Sequence, residues 1–263
     1  MINLTQKISV EKLHTAFVST YENNFNFAGE HHDAWEIGVV REGNAGITSG
    51  TQVYDCRKDE IFIHPPEIFH NVWANKNEKM RILTVSFSAN GDSNLIPRGK
   101  FSLNGEEIAL VNMIETEVLS LCDKNASACA DGNQVVKNLL ECLILLLNRR
   151  KHNSQKVEKE GNARLFSSVA TFLKKSVDDA LTVSDICDKN AIGRSTLKNL
   201  FNKYAGCSIM KYYNSLRVKR AVKLMRDGLP LSEVAEKMNF SSQNYFSYFF
   251  KRETGVTPSN YSN

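Results

Sequence analysis

Val183-Ser-Asp-Ile186-Cys187 and, 48 residues later, Leu231-Ser-Glu-Val234-Ala235 share their apolar and polar positions. The match continues at an offset of 49, where Leu197, Phe201, Gly206 and Ser208 fall above Phe246, Phe250, Gly255 and Thr257. A period of this length marks an internal repeat of one supersecondary unit, with one residue inserted in the second copy's turn. In each copy a short amphipathic run begins after an N-cap-like Thr182 or Pro230 and then breaks. A longer helical run follows, opened by Gly193 or Ser242 and closed by Gly206 or Gly255. The pattern predicts helix, turn, helix, twice over, with Asn239 in the second turn because Asn tolerates positive φ.

In the longer helices Leu197, Leu200 and Phe201, and equally Phe246, Phe249 and Phe250, have the spacing of a buried stripe. That leaves Arg194, Ser195, Lys198, Asn199 and Asn202 on the first helix, and Gln243, Asn244, Ser247, Tyr248 and Lys251 on the second. These side chains suit phosphates and base edges, with almost no carboxylate among them to repel DNA. A single copy would be explained as well by a solvated helix face. Between the copies, Ser208 to Arg226 reads as one helix with core positions Ile209, Tyr212, Tyr213, Leu216, Ala221 and Leu224. Its length is about 28 Å, close to the ~34 Å between successive major-groove faces of a duplex.

The charge follows the same division. Residues 161–263 carry 16 Lys/Arg against 8 Asp/Glu, whereas residues 1–160 carry 17 against 21. The basic half suits a polyanion, although a basic face alone is equally compatible with simple solvation. The polar stretch Lys151 to Asn162 reads as a linker, giving domains at 1–150 and 163–263 with a linker at 151–162.

The elements Ile186-Cys187, Leu197-x3-Phe201, Arg217-x3-Ala221-x2-Leu224, Val234-Ala235, Asn239-Phe240, Tyr245-Phe246-x3-Phe250-Lys251 and Gly255-Val-Thr-Pro258-x2-Tyr261 occur in this order. By them, residues 165–261 resemble the DNA-binding domain of the AraC/XylS family of bacterial transcription regulators. The resemblance implies base readers at Ser195, Lys198, Asn199, Gln243, Asn244, Ser247 and Tyr248, and an Arg217 that braces the spacer helix. Cys187 and Asn239 depart from the family's usual Ala and Gly, and Tyr248 from a common basic residue. Tyr cannot fork onto guanine as Arg can, which leaves the base preference of the second helix open.

Upstream, β-prone runs recur at Trp35–Val40, Ala45–Thr48, Gln52–Asp55, Glu60–His64 and Ile82–Ser88, separated by turn signals. They predict an antiparallel barrel or sandwich. The pattern His32-x3-Glu36, Gly43, Asp59-x4-His64-Pro65-Pro66, His70 resembles the cupin-type sensor that precedes this DNA-binding unit in many family members. An effector pocket would draw on His32, Trp35, Glu36, His64, His70 and Trp73, with Ile37 and Phe62 as further lining. Alternation places one face inside without saying which.

In metal-binding cupins the ligands come from a His-x-His-x3-Glu element and a later His. Here Glu30 holds the first position, followed by His32, Glu36 and His70. Such a set could hold Zn, Mn, Ni or Fe. With the first His absent and a regulatory context, the metal-free reading is preferred, and no metal or other cofactor is expected.

Residues 106–122 and 133–150 read as two helices around a turn region at Ser127–Gly132. The second has more apolar positions than one stripe needs, so the barrel or a second subunit must cover the excess. Leu139 to Leu147, the longest nearly apolar stretch, contains Glu141 and is too short to span a bilayer. Residues 1–17 lack the order of an export signal. The six cysteines form no C-x-x-C pair and read as reduced core thiols.

The expectation is therefore an α+β multidomain protein. A cupin-like antiparallel barrel with helices precedes an all-α domain of two helix-turn-helix motifs joined by a linker helix. It is a cytoplasmic DNA-binding regulator, not an enzyme. The expected partners are double-stranded DNA, a small-molecule effector, a second copy of the chain and RNA polymerase, with no membrane. Two rivals stay open: an effector-independent regulator whose barrel only dimerises, and a metal-dependent cupin enzyme.

Overall fold

The computed structural model describes residues 6–74, 78–122, 131–150 and 161–261. The chain divides into two compact units, Met1–Glu158 and Lys159–Asn263. Most of the expected linker lies outside the described residues, as does most of the Ser127–Gly132 turn region; Gly161 and Asn162 already belong to a helix.

The first unit has strands β1 (Ile8–Tyr21), β2 (Trp35–Glu42), β3 (Asn44–Ser49), β4 (Gln52–Arg57), β5 (Glu60–His64), β6 (His70–Ala74), β7 (Met80–Gly91) and β8 (Gly99–Ser102). They form two antiparallel sheets, ordered β1-β7-β2-β5-β8 and β4-β3-β6. Residues 25–30 extend the smaller sheet: Phe27 N–H donates to the Val72 carbonyl, and Glu30 and His70 exchange two backbone hydrogen bonds of 2.9 Å.

Strand alternation builds two cores. Ile37, Val39, Ile61, Ile63, Leu83 and Val85 leave the larger sheet on one face and pack against helices α1 (Gly105–Cys122) and α2 (Gly132–Arg149). Val40, Phe62, Met80 and Ile82 leave the other face and meet Ala45, Ile47 and Ala74 of the smaller sheet. α1 is pinned by charge as well, since Arg41 of β2 donates from Nε to Glu115 at 2.6 Å and from Nη1 to Asp59 at 3.2 Å. Arg81 pairs with the same Glu115.

The sheet covers one face of α2 through Val136, Leu140, Leu143, Ile144 and Leu147. Leu146, and Leu145 at the margin of that core, line a groove of about 520 Å³ with Ala109, Leu110, Met113 and Cys142, flanked by Glu106 and Arg149.

The second unit holds α3 (Gly161–Lys175), α4 (Val183–Asn190), α5 (Arg194–Tyr204), α6 (Ile209–Arg226), α7 (Leu231–Lys237), α8 (Gln243–Thr254) and α9 (Pro258–Tyr261). Thr182 and Asp185 close a capping box on α4. The two turns have left-handed residues at equivalent places, Ala191 at φ 50° and Asn239 at φ 53°. α6 serves both halves. Its first turns carry Tyr212 into an aromatic cluster with Phe166 and Phe201. Its later turns bring Val218, Ala221 and Leu224 against Val234, Phe246, Phe249 and Phe250. No described helix is long and apolar enough to cross a membrane.

Gly46 of β3 is a packing requirement, because a Cβ there would lie 2.0 Å from the Trp73 ring opposite it on β6. Gly46→Ala is expected to destabilise the first unit by about 1–3 kcal/mol. Thermal unfolding followed by tryptophan fluorescence should show the drop.

Candidate nucleic-acid interface and sensor site

On α5 the side chains of Leu197, Leu200 and Phe201 are buried while Arg194, Ser195, Lys198, Asn199 and Asn202 are exposed. On α8 Phe246, Phe249 and Phe250 are buried; Gln243, Asn244, Tyr248 and Lys251 are exposed and Ser247 is half-buried. Each helix is thus held by three apolar anchors and turns a polar, mainly neutral-to-basic face outward. Tyr245, 53% exposed, stands on the same helix and was not among the residues expected on its outward face. Arg252 is exposed as well, paired with Glu253 and lying 6.0 Å from the Tyr248 ring.

Arg217 is buried in the middle of α6 and takes no part in this face. Its Nη2 donates to the Met238 carbonyl at 2.6 Å, and its guanidinium lies 4.2 Å from the Phe240 ring. Burial lowers its pKa from the ordinary arginine value.

In the first unit the inward face of the strands gathers a second polar group. Glu36 of β2 sits opposite His64 of β5 in register. Glu36 Oε2 lies 3.2 Å from His32 Nε2, and Oε1 lies 3.4 Å from His70 Nε2. His64 stacks on His70 with ring centroids 4.5 Å apart, and its Nδ1 lies 3.2 Å from the Ser49 hydroxyl. Burial, reinforced by the neighbouring His70 and His32, pushes the His64 pKa well below the ordinary value, so this ring is neutral. His32 moves the opposite way, raised by its hydrogen bond to Glu36 against the cost of burial.

A helix-turn-helix domain family matches residues 186–263, and the AraC-like ligand binding domain family matches residues 14–110. Over 243 residues the chain is 25% identical to the HTH-type transcriptional activator RhaR of Escherichia coli O139:H28, covering 89% of this chain and 86% of that protein. Identity to RhaR of Shigella flexneri is 29% over the same shares. Among solved structures, unsaturated fatty acid-bound ToxT from Vibrio cholerae aligns over 96% of each chain at 15% identity and a TM-score of 0.37. Sensor and DNA-binding families occur in the expected order on the expected halves. The chain joins an AraC-like ligand binding domain to a C-terminal helix-turn-helix domain.

Within the AraC-like ligand binding domain, the structure brings together four of the six expected pocket residues, His32, Glu36, His64 and His70, and adds Glu30 beside them. It places the two tryptophans elsewhere. Trp35 precedes Glu36 on β2 and so points to the opposite face, into the core shared with α1 and α2, where Arg98 lies 5.5 Å from its ring. Ile37 shares that face, whereas Phe62 faces between the sheets. Trp73, three residues from His70 on β6, likewise leaves the far face of its sheet, against Gly46.

Asn239 supplies more than a permissive φ. Its Nδ2 donates to the Asp178 carbonyl at 3.2 Å, and the Asp178 carboxylate takes two hydrogen bonds from Arg220 of α6, at 2.9 and 3.1 Å. The second turn is thereby tied to the loop ahead of the first helix-turn-helix. Asn239→Gly keeps the backbone conformation and removes the tie. We expect about 0.5–1 kcal/mol lower stability, and a larger affinity loss on a duplex spanning two turns than on one spanning a single turn, read by fluorescence anisotropy.

Proposed function

We propose that α5 and α8 are the reading helices of a cytoplasmic transcription regulator, entering adjacent major grooves of one DNA face, with the first unit serving as effector sensor and dimerisation domain. The observation that carries this reading is the repeated exposure of one polar face over one apolar anchor set. Ser195, Lys198 and Asn199 read the first site, and Gln243, Asn244, Ser247 and Tyr248 the second. Arg194, Asn202 and Lys251 hold phosphates, with Lys203 and Lys211 outside the reading positions. The effector is a small molecule reaching the polar cluster of His32, Glu36, His64 and His70. RhaR is named as an activator of transcription, which supports a regulator over a cupin enzyme and makes RNA polymerase the further partner.

Lys198→Ala and Gln243→Ala are expected to cost about 1–3 kcal/mol on the matched duplex and to relax base preference, while Lys211→Ala weakens all sequences alike. Binding to matched and scrambled duplexes across a salt series checks this. Equal losses on both duplexes for all three variants would contradict the assigned roles.

Dimerisation is assigned to the groove between α1 and α2. Met113 is 53% exposed at its edge, and the lining is apolar apart from Glu106 and Arg149. A two-fold pairing would bury this surface against itself. Met113→Glu should shift the chain to monomer in sedimentation and leave its circular dichroism unchanged.

A further inference from the structure

We propose that Glu30, His32, Glu36 and His70 bind one divalent first-row transition-metal ion in the AraC-like domain, with Glu30 as the ligand contributed by the added edge segment. One potential ligand atom from each of the four lies within 4.8 Å of every other. A tetrahedral ion with bonds near 2.1 Å sets its ligands about 3.4 Å apart. His32 Nε2 lies 3.2 Å from Glu36 Oε2 and His70 Nε2 lies 3.4 Å from Glu36 Oε1, so the carboxylate stands between the two imidazoles at separations of that order.

The orientation of His70 points the same way. Its Nδ1 lies 3.0 Å from the Ile68 carbonyl oxygen, which can only accept, so Nδ1 carries the hydrogen. In the neutral ring Nε2 then presents a lone pair. That atom is buried, has no hydrogen-bond partner among the described residues, and faces a carboxylate oxygen of Glu36. In that neutral form two electron-rich atoms face each other in a buried place, an arrangement relieved by a proton or a metal ion between them, and the convergence of Glu30 and His32 on the same point favours the metal ion. A backbone carbonyl fixing one imidazole nitrogen while the other faces the ligand set is the usual outer support of a metal-binding histidine.

Glu30 is held in place by its paired backbone bonds to His70, and the backbone of His32 by a 2.8 Å bond from Glu67 N–H to its carbonyl. Glu30 is exposed and His32 half-buried, so an ion has a way in. His64 stands outside the set, because it is not among the four residues whose ligand atoms converge. Two carboxylates balance a divalent charge, and two imidazoles favour Mn, Fe, Co, Ni or Zn over Ca or Mg. Zinc, manganese, nickel and iron are chemically admissible on sequence grounds too. What shifts the balance from the metal-free preference is the convergence of Glu30 and the orphaned Nε2.

The test uses the full-length chain stripped by chelator and titrated with Co(II), read by visible absorption, and with Zn(II), read by thermal unfolding. Expected are a saturable one-equivalent Co(II) band and a Zn(II)-dependent rise of about 5 °C or more at a hundredfold excess over Kd. Glu30→Gln and His32→Ala, both at accessible positions, should weaken Co(II) at least tenfold, and His14→Ala should leave it unchanged. No saturable binding by the folded chain, in which case a proton occupies the place between His70 and Glu36, overturns the proposal. So does binding that survives Glu30→Gln and His32→Ala. DNA affinity of the metal-free chain is measured separately, so a failure here leaves the DNA-binding reading standing.

Discussion

Arg217 holds a full positive charge in the middle of α6, with the aromatic core of the first helix-turn-helix on one side and the phenylalanine core of the second on the other. Removing a guanidinium from water costs several kcal/mol, and the buried Nε, with no hydrogen-bond partner among the described residues, is part of that cost. The return comes from one charge-assisted bond to the Met238 carbonyl, worth about 1.5–3 kcal/mol, and from the faces of Phe240 and Phe249. These terms nearly cancel. The bond therefore adds little net stability, but it gives the turn after α7 a single position relative to α6. A methylene chain of similar volume could fill the space but could not choose the carbonyl it must meet. Beside it, the Tyr213 hydroxyl lies 2.6 Å from the carbonyl oxygens of both Ser176 and Asp179, and Arg220 grips Asp178. One helix thus orients both halves of the unit through polar contacts to loops.

That arrangement explains why so much of the second unit was legible. A helix announces itself by a stripe every three to four residues, and here each stripe occurs twice with glycines and N-caps at the same offsets. The reading failed only in degree. Leu216, expected in the core, is half-buried, because the spacer turns Arg217 inward beside it. Tyr245, quoted in the motif but not assigned to the outward face, shows the converse, since an aromatic ring next to buried Phe246 has no sequence signal that separates core from surface.

The first unit was legible only in part. The five strands read from alternation appear within a few residues of their expected ends. β1 was missed because it is an edge strand with Glu11, Lys12 and His14 along it, and its register with β7 shifts between Val10 and Lys12 and again between Leu13 and Thr15. Each shift resets the period that a reader would count. β6 and β8 were missed too, since Asn71 in the one and Gly99 in the other are poor strand formers that interrupt the signal. The site suffered from the same arithmetic. Trp35 and Glu36 are neighbours in sequence and are separated by the thickness of a sheet, and composition cannot tell which parity faces inward. The register of β2 with β5 decides it, by setting Glu36 opposite His64.

The same strand carries the argument from site to surface. β2 begins at the histidine cluster with Glu36 and reaches Arg41 five residues later, where Arg41 bonds to Glu115 of α1 and Asp59 ahead of β5. Between them Ile37 and Val39 pack against the helices, so the strand is clamped by apolar contact along one face and by charge at its far end. A close-packed layer of this kind does not absorb a shift at Glu36 by local rearrangement. It passes the displacement to whatever the strand holds, and here that is α1, one wall of the groove to which dimerisation is assigned. A ligand or ion that discriminates between two positions of Glu36 would on this geometry discriminate between two settings of that groove, which is the differential contact that regulation through this domain requires.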